Sequence, residues 1–160
     1  MNQIFQRAAN PAGPCTELLS VRVGAQEFAM DIRSIREIRG WSAATYLPHA
    51  PAHIKGMINL RGVVLVVIGL AERLGLPARE PDAGSVVVVI ENGGKAAGLV
   101  VDAVCDIITV TDAMRQSTPA TGSAMPGEFI EGLIMTEDRI ISIISIPAIM
   151  PDALLEPELA

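Results

Sequence analysis

The apolar residues of this chain fall into short runs that are rich in β-branched side chains and separated by Gly and Pro. Four runs predict strands, at residues 63–68, 85–90, 96–101 and 140–144. Residues 91–95 contain an Asn-Gly pair, which tolerates the positive φ of a type I′ turn and so predicts a tight hairpin between the second and third of these strands.

Helix is predicted in only three short stretches. Residues 31–38 place three isoleucines at helical spacing, and residues 70–74 end just before a Gly and a Pro. A third helix is predicted to begin at Ser145, which would be its N-cap, with a Pro in the first turn. The pattern therefore predicts an all-β protein with a few short helices.

The same pattern of apolar positions occurs twice. Residues 20–38 align with residues 89–107 at a constant offset of 69, and residues 53–70 align with residues 129–146 at an offset of 76. The coinciding positions include two pairs of glycines, Gly24 with Gly93 and Gly56 with Gly132. The extra residues of the second copy fall in a Ser/Thr/Pro/Gly-rich stretch at 116–127, where a surface loop is predicted.

This repeat predicts two similar β units, at about residues 17–80 and 85–150, joined by a linker at 77–84. Four or five strands per unit suit a small barrel, because a barrel closes its own edges. Two barrels packed together leave a groove, which is a natural binding place. Residues 1–16 and 151–160 are predicted to be flexible tails.

Composition and charge allow a compact core and argue against one class of function. The 160 residues suffice for one ordinary domain or two small ones, and half of them are hydrophobic. The net charge is −6, and no stretch concentrates Lys and Arg, which argues against nucleic acid as a partner.

The sequence also indicates a location. Its longest uncharged apolar stretch in the middle of the chain, residues 62–71, is much shorter than the roughly 20 residues of a membrane-spanning helix. Residues 1–15 show no run typical of a signal peptide. Cys15 and Cys105 lie far apart in the sequence and could pair, but reduced thiols of a cytoplasmic protein are the favoured interpretation.

The sequence shows no catalytic constellation. His49 and His53 are four residues apart but flanked by prolines, so a regular helix that would present both to a metal is not expected. A Ser-His-Asp triad assembles in space and leaves no trace in sequence order, but no Ser occupies a Gly-x-Ser-x-Gly elbow. No phosphate-binding loop is present. We therefore expect no catalytic residue, no metal and no cofactor.

One polar patch interrupts the apolar segment that contains the first predicted strand. Asn59, Leu60, Arg61 and Gly62 have no similar counterpart in the second copy, where residues 135–138 stand. The barrel fold, which occurs twice, explains the residues that both copies share. Arg61 occurs in only one copy, so the barrel fold does not require it. Arginine is favoured at interfaces because of its planar fork of donors. A solvated turn residue and an internal ion pair are the alternatives for Arg61.

Residues 49–70 resemble the signature of the bacterial chemotaxis coupling protein CheW and its relatives. In that signature, Pro-x-x-(Val/Ile)-x-Gly-x-x-Asn-Leu-Arg-Gly leads into a Pro-Val-(Ile/Val)-Asp-Leu strand. Residues 28–41 and 97–110 resemble an earlier and a later segment of the family, so that the resemblance covers about residues 17–150. It implies two tandem SH3-like five-stranded β-barrels packed together.

The resemblance also implies a function. Proteins of this family bridge the cytoplasmic tips of chemoreceptors and the regulatory domain of the histidine kinase CheA, so a non-catalytic adaptor recruited to receptor arrays at the inner membrane is expected. The first unit should contact the kinase, and the side near Arg61 should meet the receptor. A further hypothesis is that Glu37 and Arg61 form an ion pair. The residues expected to bind partners are Ile35, Glu37, Gly56, Asn59, Leu60, Arg61 and Gly62.

The sequence departs from the family pattern at three positions. Val66 stands where the family usually has Pro, Gly69 where it has Asp, and Ala71 where it has a polar or basic residue. The loss of Pro restores a backbone donor to the strand. These departures leave an alternative open, in which the chain is a kinase-binding regulatory module of a divergent pathway, such as one for twitching or surface behaviour, that binds no receptor.

Overall fold

The computed structural model describes residues 15–42, 44–77, 80–116, 129–136 and 138–150. Strands dominate this part of the chain, and they are β1 (Cys15–Val23), β2 (Gln26–Asp31), β3 (Ile35–Gly40), β4 (Ile54–Leu60), β5 (Val63–Gly69), β6 (Val86–Asn92), β7 (Lys95–Val101), β8 (Ala103–Thr111), β9 (Arg115–Gln116), β10 (Ile130–Met135) and β11 (Ile140–Ile144). Two short helices follow β5 and β11, namely α1 (Leu70–Arg73) and α2 (Ile146–Ile149). Single 3₁₀ turns lie at Ile32–Ser34 and Asp112–Met114.

The strands form two small barrels. In barrel I the strand order is β3-β6-β7-β5-β4, and a bridge between Thr45 and Met57 joins the chain after β3 to β4, which closes the ring. In barrel II the order is β8-β1-β2-β11-β10-β9, and β8 continues through a 3₁₀ turn into β9, so that one bent strand closes the ring. The predicted all-β class with a few short helices is confirmed.

Each barrel combines a hairpin from one repeat with the later strands of the other repeat. The β1–β2 hairpin lies between β8 and β11, and the β6–β7 hairpin lies between β3 and β5. The pairings match in the two barrels: β1 with β8 and β3 with β6 are antiparallel, whereas β2 with β11 and β7 with β5 are parallel. The repeat is therefore present in the structure, with the hairpins exchanged.

The predicted ranges 17–80 and 85–150 consequently do not divide the strands between the barrels. A repeated pattern shows which segments are alike. It does not show whether a hairpin pairs with the strands of its own repeat or with those of the other repeat, because the local sequence is the same in both cases. Which of the two pairings forms is a tertiary property that apolar periodicity does not carry.

Within the described residues, the buried apolar side chains form three clusters. One fills barrel I and is formed by Leu60, Leu65, Val67, Val87, Val89 and Val100. A second fills barrel II and is formed by Leu18, Ala29, Val110, Ile134, Ile141 and Ile143. The largest cluster lies between the barrels, where Phe28, Met30, Ile68 and Leu99 are completely buried. Burial of this shared layer fixes the two barrels to each other.

The helix predicted at residues 31–38 is wrong. Only Ile32–Ser34 forms a 3₁₀ turn, started by Asp31, whose side chain accepts a hydrogen bond from the Arg33 N–H. From Ile35 the chain runs as β3 and pairs with β6, with Glu37 opposite Val89. The spacing of the three isoleucines is compatible with a helix, but strand pairing within barrel I overrides it.

The other local predictions agree with the structure, with small differences. The predicted strands lie within or next to β5, β6, β7 and β11, and both later helices are present. The residues of the β6–β7 turn that adopt positive φ are Gly93 and Gly94, not Asn92. Strand β1 begins at Cys15, inside the predicted tail. Residues 1–14, residues 151–160 and nearly all of the predicted loop at 116–127 lie outside the described residues.

Candidate partner-binding site

Arg61 lies in the tight turn between β4 and β5. Leu60 pairs with Val63 across the hairpin, and Arg61 and Gly62 have φ values of 52° and 87°, so they form a two-residue turn of type I′. The Asn59 side chain accepts the Gly62 N–H at 2.8 Å. A left-handed conformation costs a non-glycine residue roughly 1–2 kcal/mol, so local conformation does not explain an arginine here.

Arg61 forms an ion pair with Glu37 on β3. Its Nη2 donates to Glu37 Oε2 at 3.1 Å and its Nη1 donates to Oε1 at 3.3 Å, which is a fork of two parallel bonds. The Arg61 side chain is 74% exposed and that of Glu37 is 27% exposed. The hypothesis that these two residues pair is therefore confirmed. An exposed pair contributes at most about 1 kcal/mol to stability, and the two bonds hold the guanidinium against β3.

Beside this pair a groove of about 240 Å³ opens at one end of barrel I, and we call it the Arg61 groove. Its lining comes from β3 to β7 and consists of Arg36, Glu37, Leu60, Arg61, Val63, Leu65, Val89 and Ala96. Leu65 and Val89 are buried members of the barrel interior, whereas Val63 is 55% exposed. The groove is thus lined by apolar residues of the barrel wall together with the charged residues Arg36, Glu37 and Arg61.

The charges around the Arg61 groove differ from those of the whole chain. Arg36 pairs with Glu91 at 3.0 Å, and Arg39 lies 3.9 Å from Glu37. With Arg61, these residues comprise three arginines and two glutamates, so one positive charge is in excess on a chain whose net charge is −6. The groove therefore favours a partner with a negative charge at this place.

In barrel II, the positions equivalent to part of this groove lining carry polar side chains that are bonded to one another. At the offsets of the repeat, Val89, Ala96 and Val63 correspond to Ser20, Glu27 and Arg139. Arg139 Nη1 donates to both carboxylate oxygens of Glu27, at 2.9 and 3.1 Å, and the buried Ser20 hydroxyl donates to the same carboxylate.

The structure brings together three of the seven residues expected to bind partners. Glu37, Leu60 and Arg61 line the groove, Gly62 forms the turn together with Arg61, and the Asn59 side chain accepts the Gly62 N–H. The sequence reasoning did not find Arg36, Val63, Leu65, Val89 and Ala96. Two of them, Val63 and Ala96, could have been found from the repeat, because the second and first copies have charged residues, Arg139 and Glu27, at the corresponding positions.

Gly56 and Ile35 lie elsewhere. Gly56 is buried at a bulge of β4 with φ 140°, and a Cβ there would collide with the Thr45 carbonyl oxygen, at the bridge that closes barrel I. Gly132 occupies the same place in barrel II, against the Gln116 carbonyl. Ile35 is half-buried and packs on the cluster between the barrels. The absence of a side chain at Gly56 therefore permits the Thr45 bridge that closes barrel I, and Gly56 is too deeply buried to touch a partner.

Two of the departures from the family pattern lie on β5. Val66 is buried and pairs with Met57, so β5 continues through that position without interruption; its neighbours are β4 and β7, so β5 is not an edge strand. At Gly69, the space beside the Cα is occupied by Glu72 and Lys55, which form an ion pair. A carboxylate is therefore present beside Gly69 although position 69 has no side chain.

The described residues offer little other chemistry. Within them, no three His, Cys, Asp or Glu side chains are close enough to hold a metal ion. His53 Nε2 lies 3.2 Å from Arg73 Nη1, and Arg73 also lies 4.9 Å above the Phe129 ring, so His53 forms part of a contact between the repeats.

Of the helices in the described ranges, none has the length and apolar character needed to cross a membrane.

The chain resembles known proteins over nearly its whole length. A family model for the CheW-like domain matches residues 17–154. The chain belongs to the CheW-like family. Among its relatives, the probable chemotaxis protein CheW of Rhizobium etli is 46% identical over 136 residues, which cover 85% of this chain and 88% of that protein. The chemotaxis protein CheW of Rhizobium meliloti is 44% identical over 135 residues, covering 84% and 87%.

A solved structure supports the same family. The scaffolding protein CheW of Thermoanaerobacter tengcongensis superimposes with a TM-score of 0.76 at 30% identity, covering 82% of this chain and 89% of that one. The expected pair of SH3-like barrels is therefore confirmed for this CheW-like chain.

Proposed function

We propose that this CheW-like chain is a non-catalytic adaptor of bacterial chemosensory signalling, which couples the cytoplasmic tips of chemoreceptors to the regulatory domain of a CheA-type histidine kinase. Its relatives are named as chemotaxis proteins, and the similar solved structure is named as a scaffolding protein. The observation that carries the proposal is the Arg61 groove of barrel I, whose equivalent positions in barrel II carry the hydrogen-bonded pair Glu27 and Arg139 instead.

The Arg61 groove has the properties of a small protein-binding site. Arg61 occupies a left-handed position that its side chain does not favour, and Glu37 holds its guanidinium in an exposed orientation. Strained positions are often kept where a side chain has a function. An arginine next to an apolar depression is a combination that recurs in the centres of interfaces. In this proposal Glu37, Leu60 and Arg61 touch the receptor, and Asn59 and Gly62 shape the turn.

An adaptor needs a second surface for its second partner. We place the kinase regulatory domain on barrel I away from the Arg61 groove, in keeping with the family resemblance of the segment that forms β3 to β5. An adaptor of this kind acts in the cytoplasm, next to the receptor arrays of the inner membrane. It transforms no substrate, and its effect on the kinase comes from holding two partners in contact.

The alternative is a regulatory module that binds the kinase and no receptor, which the departures at Val66 and Gly69 suggested. The ion pair of Lys55 with Glu72 weakens that alternative, because it places a carboxylate beside Gly69. Val66 continues the pairing of β4 with β5 without disturbing the turn at Arg61. Both departures therefore leave the Arg61 groove intact, which favours the coupling adaptor.

A binding titration tests the proposal. The purified chain is titrated with the regulatory domain of a CheA-like kinase from the same genome, and separately with a fragment of a receptor tip. The Arg61→Glu variant is compared with Arg22→Glu, which makes the same charge change at an exposed position of β1 in barrel II. We expect both partners to bind, and we expect Arg61→Glu alone to weaken receptor binding at least tenfold while kinase binding is kept.

Other outcomes contradict the proposal in different ways. Binding to the kinase without binding to the receptor favours the regulatory module. Equal losses for Arg61→Glu and Arg22→Glu indicate a general effect of charge and not a site at Arg61. A folded chain that binds neither partner shows that the family fold is present without the adaptor function.

A further inference from the structure

We propose that a pocket at the boundary between the two barrels binds a small zwitterion of the amino-acid type. The pocket has a volume of about 230 Å³, and Lys55 and Gly69 place it at the ends of β4 and β5 that are far from Arg61. Residues of β4, β5, α1, β7 and the linker line it on the side of barrel I, and the tip of the β1–β2 hairpin lines it on the side of barrel II. We call it the seam pocket.

The lining of the seam pocket includes residues that the fold itself does not require. Gly69 and Ala71 both line it, and each is smaller than the residue that the family usually has at that position. The ion pair of Lys55 with Glu72 lines it as well. The corresponding positions of the second copy hold a glutamate and an alanine, so the repeated fold does not depend on this pair.

Charged side chains of both signs border the pocket. The side chains of Lys55 and Glu72 are each only 16% exposed, and Asp102 adds a second carboxylate. These three residues sum to one negative charge, which has the same sign as the net charge of −6 on the whole chain. Because the ion pair is largely shielded from water, these charges act on a ligand more strongly than charges on an open surface. The balance favours a ligand that carries a cationic group.

The pocket also presents hydrogen-bond donors that an amine alone would leave unused. The Lys55 ammonium has three N–H donors, and within the described residues its ion-pair partner is Glu72. The buried Ser85 hydroxyl accepts the Asp82 N–H at 3.0 Å, which leaves its own O–H as a donor. Lys55 and Ser85 both line the pocket. A ligand with a carboxylate beside its cationic group would use these donors too.

The remaining lining limits the size and the side chain of the ligand. Val23 and Val100 are buried apolar residues, and Pro77 and Pro81 of the linker add further apolar surface. The volume of about 230 Å³ is below the range of about 300–1,000 Å³ that is typical of small-molecule pockets, so the ligand has few non-hydrogen atoms. A small amino acid with an aliphatic side chain combines these properties.

NMR titrations of the purified chain test this inference. The probe is L-valine, and two comparison compounds each carry one half of its charge: isovalerate has the carboxylate alone, and isobutylamine has the ammonium alone. We expect L-valine to shift the amide signals of Gly24, Ala71 and Asp102 in a saturable manner. It should bind at least about tenfold more tightly than either comparison compound, because each of these lacks the charge-assisted bonds of the other half.

Two variants with matched controls locate the binding. Ala71→Leu fills the pocket, and Ala113→Leu makes the same change at an exposed position of barrel II. Asp102→Asn removes one charge but keeps an acceptor for the Gly24 N–H, which Asp102 accepts at 2.7 Å, and Asp106→Asn is its exposed control. Ala71→Leu and Asp102→Asn should each weaken L-valine binding at least about tenfold, while the controls stay within about twofold of the wild type. The amide spectrum shows whether each variant is folded.

The other outcomes overturn the inference. Equally tight binding of isobutylamine indicates a site for cations in which the donors of Lys55 and Ser85 have no role, and equally tight binding of isovalerate indicates a site for anions. Shifts that do not saturate, or a folded Ala71→Leu chain that binds L-valine like the wild type, show that the seam pocket is not the site. If Ala71→Leu does not fold, Asp102→Asn decides. None of these titrations involves the receptor or the kinase, so the proposed function is tested separately.

Discussion

Lys55 and Glu72 form an ion pair directly against the Cα of Gly69. Each side chain is 16% exposed, so the pair is largely shielded from water. A Cβ at position 69 would collide with the Glu72 carboxylate and with the Lys55 side chain. The space beside Lys55 therefore holds one carboxylate, and in this chain it is supplied by α1 instead of by the end of β5.

A double-mutant cycle at positions 69 and 72 tests whether the Glu72 carboxylate takes the place of a carboxylate at position 69. Glu72→Ala leaves the ammonium of Lys55 without its carboxylate, and Gly69→Asp crowds two carboxylates together, so each change should lower the free energy of unfolding by about 1–2 kcal/mol. The double variant should recover to within about 0.5 kcal/mol of the wild type, because Asp at the N-cap of α1 also favours the helix. Urea unfolding measures all four proteins, and additive losses would show that the two carboxylates do not compete.

Gly56→Ala should destabilise the protein strongly. The new methyl group would collide with the Thr45 carbonyl oxygen, and φ 140° is unfavourable for alanine, so the expected loss is about 2–4 kcal/mol. Gly40→Ala is the matched control, because a Cβ there meets no atom within 4 Å, and it should stay within about 0.5 kcal/mol. Thermal unfolding distinguishes the two. A stable Gly56→Ala protein that fails to bind the receptor would instead assign Gly56 to the interface.

Glu37→Gln should weaken receptor binding about threefold to tenfold and leave the free energy of unfolding within about 1 kcal/mol of the wild type. The amide keeps the shape of the side chain but holds the Arg61 guanidinium less firmly. Glu131→Gln is a suitable control, since Glu131 pairs with Arg115 in barrel II, away from the Arg61 groove. Calorimetric titration with the receptor fragment gives the affinities. Unchanged binding would show that Arg61 needs no orientation by Glu37.

Asp31 makes stability depend on pH in the acid range. Hydrogen bonds from the Arg33 side chain lower the pKa of Asp31 below its ordinary value of 3.8, although partial burial opposes them. A carboxyl whose pKa is lowered on folding adds stability that is fully present above that ordinary value and is lost as the pH falls through the lower folded pKa. Arg33→Gln should remove this contribution and raise the pKa of Asp31. Carbon NMR of the carboxyl group measures it, and an unchanged pKa would point to a cause other than Arg33.

The sequence predicted the fold class well because the strands are marked by β-branched runs between turn residues, as in β5, β6 and β7. The helix prediction failed at residues 31–38, where three isoleucines lie at helical spacing. From Ile35 these residues form β3, because they pair with β6, which lies about 50 residues further along the chain. It could not show that the hairpins are exchanged, because both pairings have the same local pattern.

The candidate site was predicted only in part, for a related reason. Arg61 was visible because a charged residue interrupts an apolar run. Val63 and Ala96 were not, because small apolar residues look like ordinary members of a barrel wall. Their meaning appears only when the fold places both of them at the Arg61 groove, and when Arg139 and Glu27 are seen to bond at the equivalent positions of barrel II.

The exchange of hairpins has a consequence for the order in which the chain can assemble during synthesis. When β3, β4 and β5 emerge from the ribosome, the β6–β7 hairpin that must lie between β3 and β5 has not yet been made. Barrel I cannot close before Val101 emerges, and the β1–β2 hairpin waits for its neighbour β11 until Ile144 emerges. A fragment that stops in the linker would hold two incomplete barrels, whereas separately made halves could complete each other.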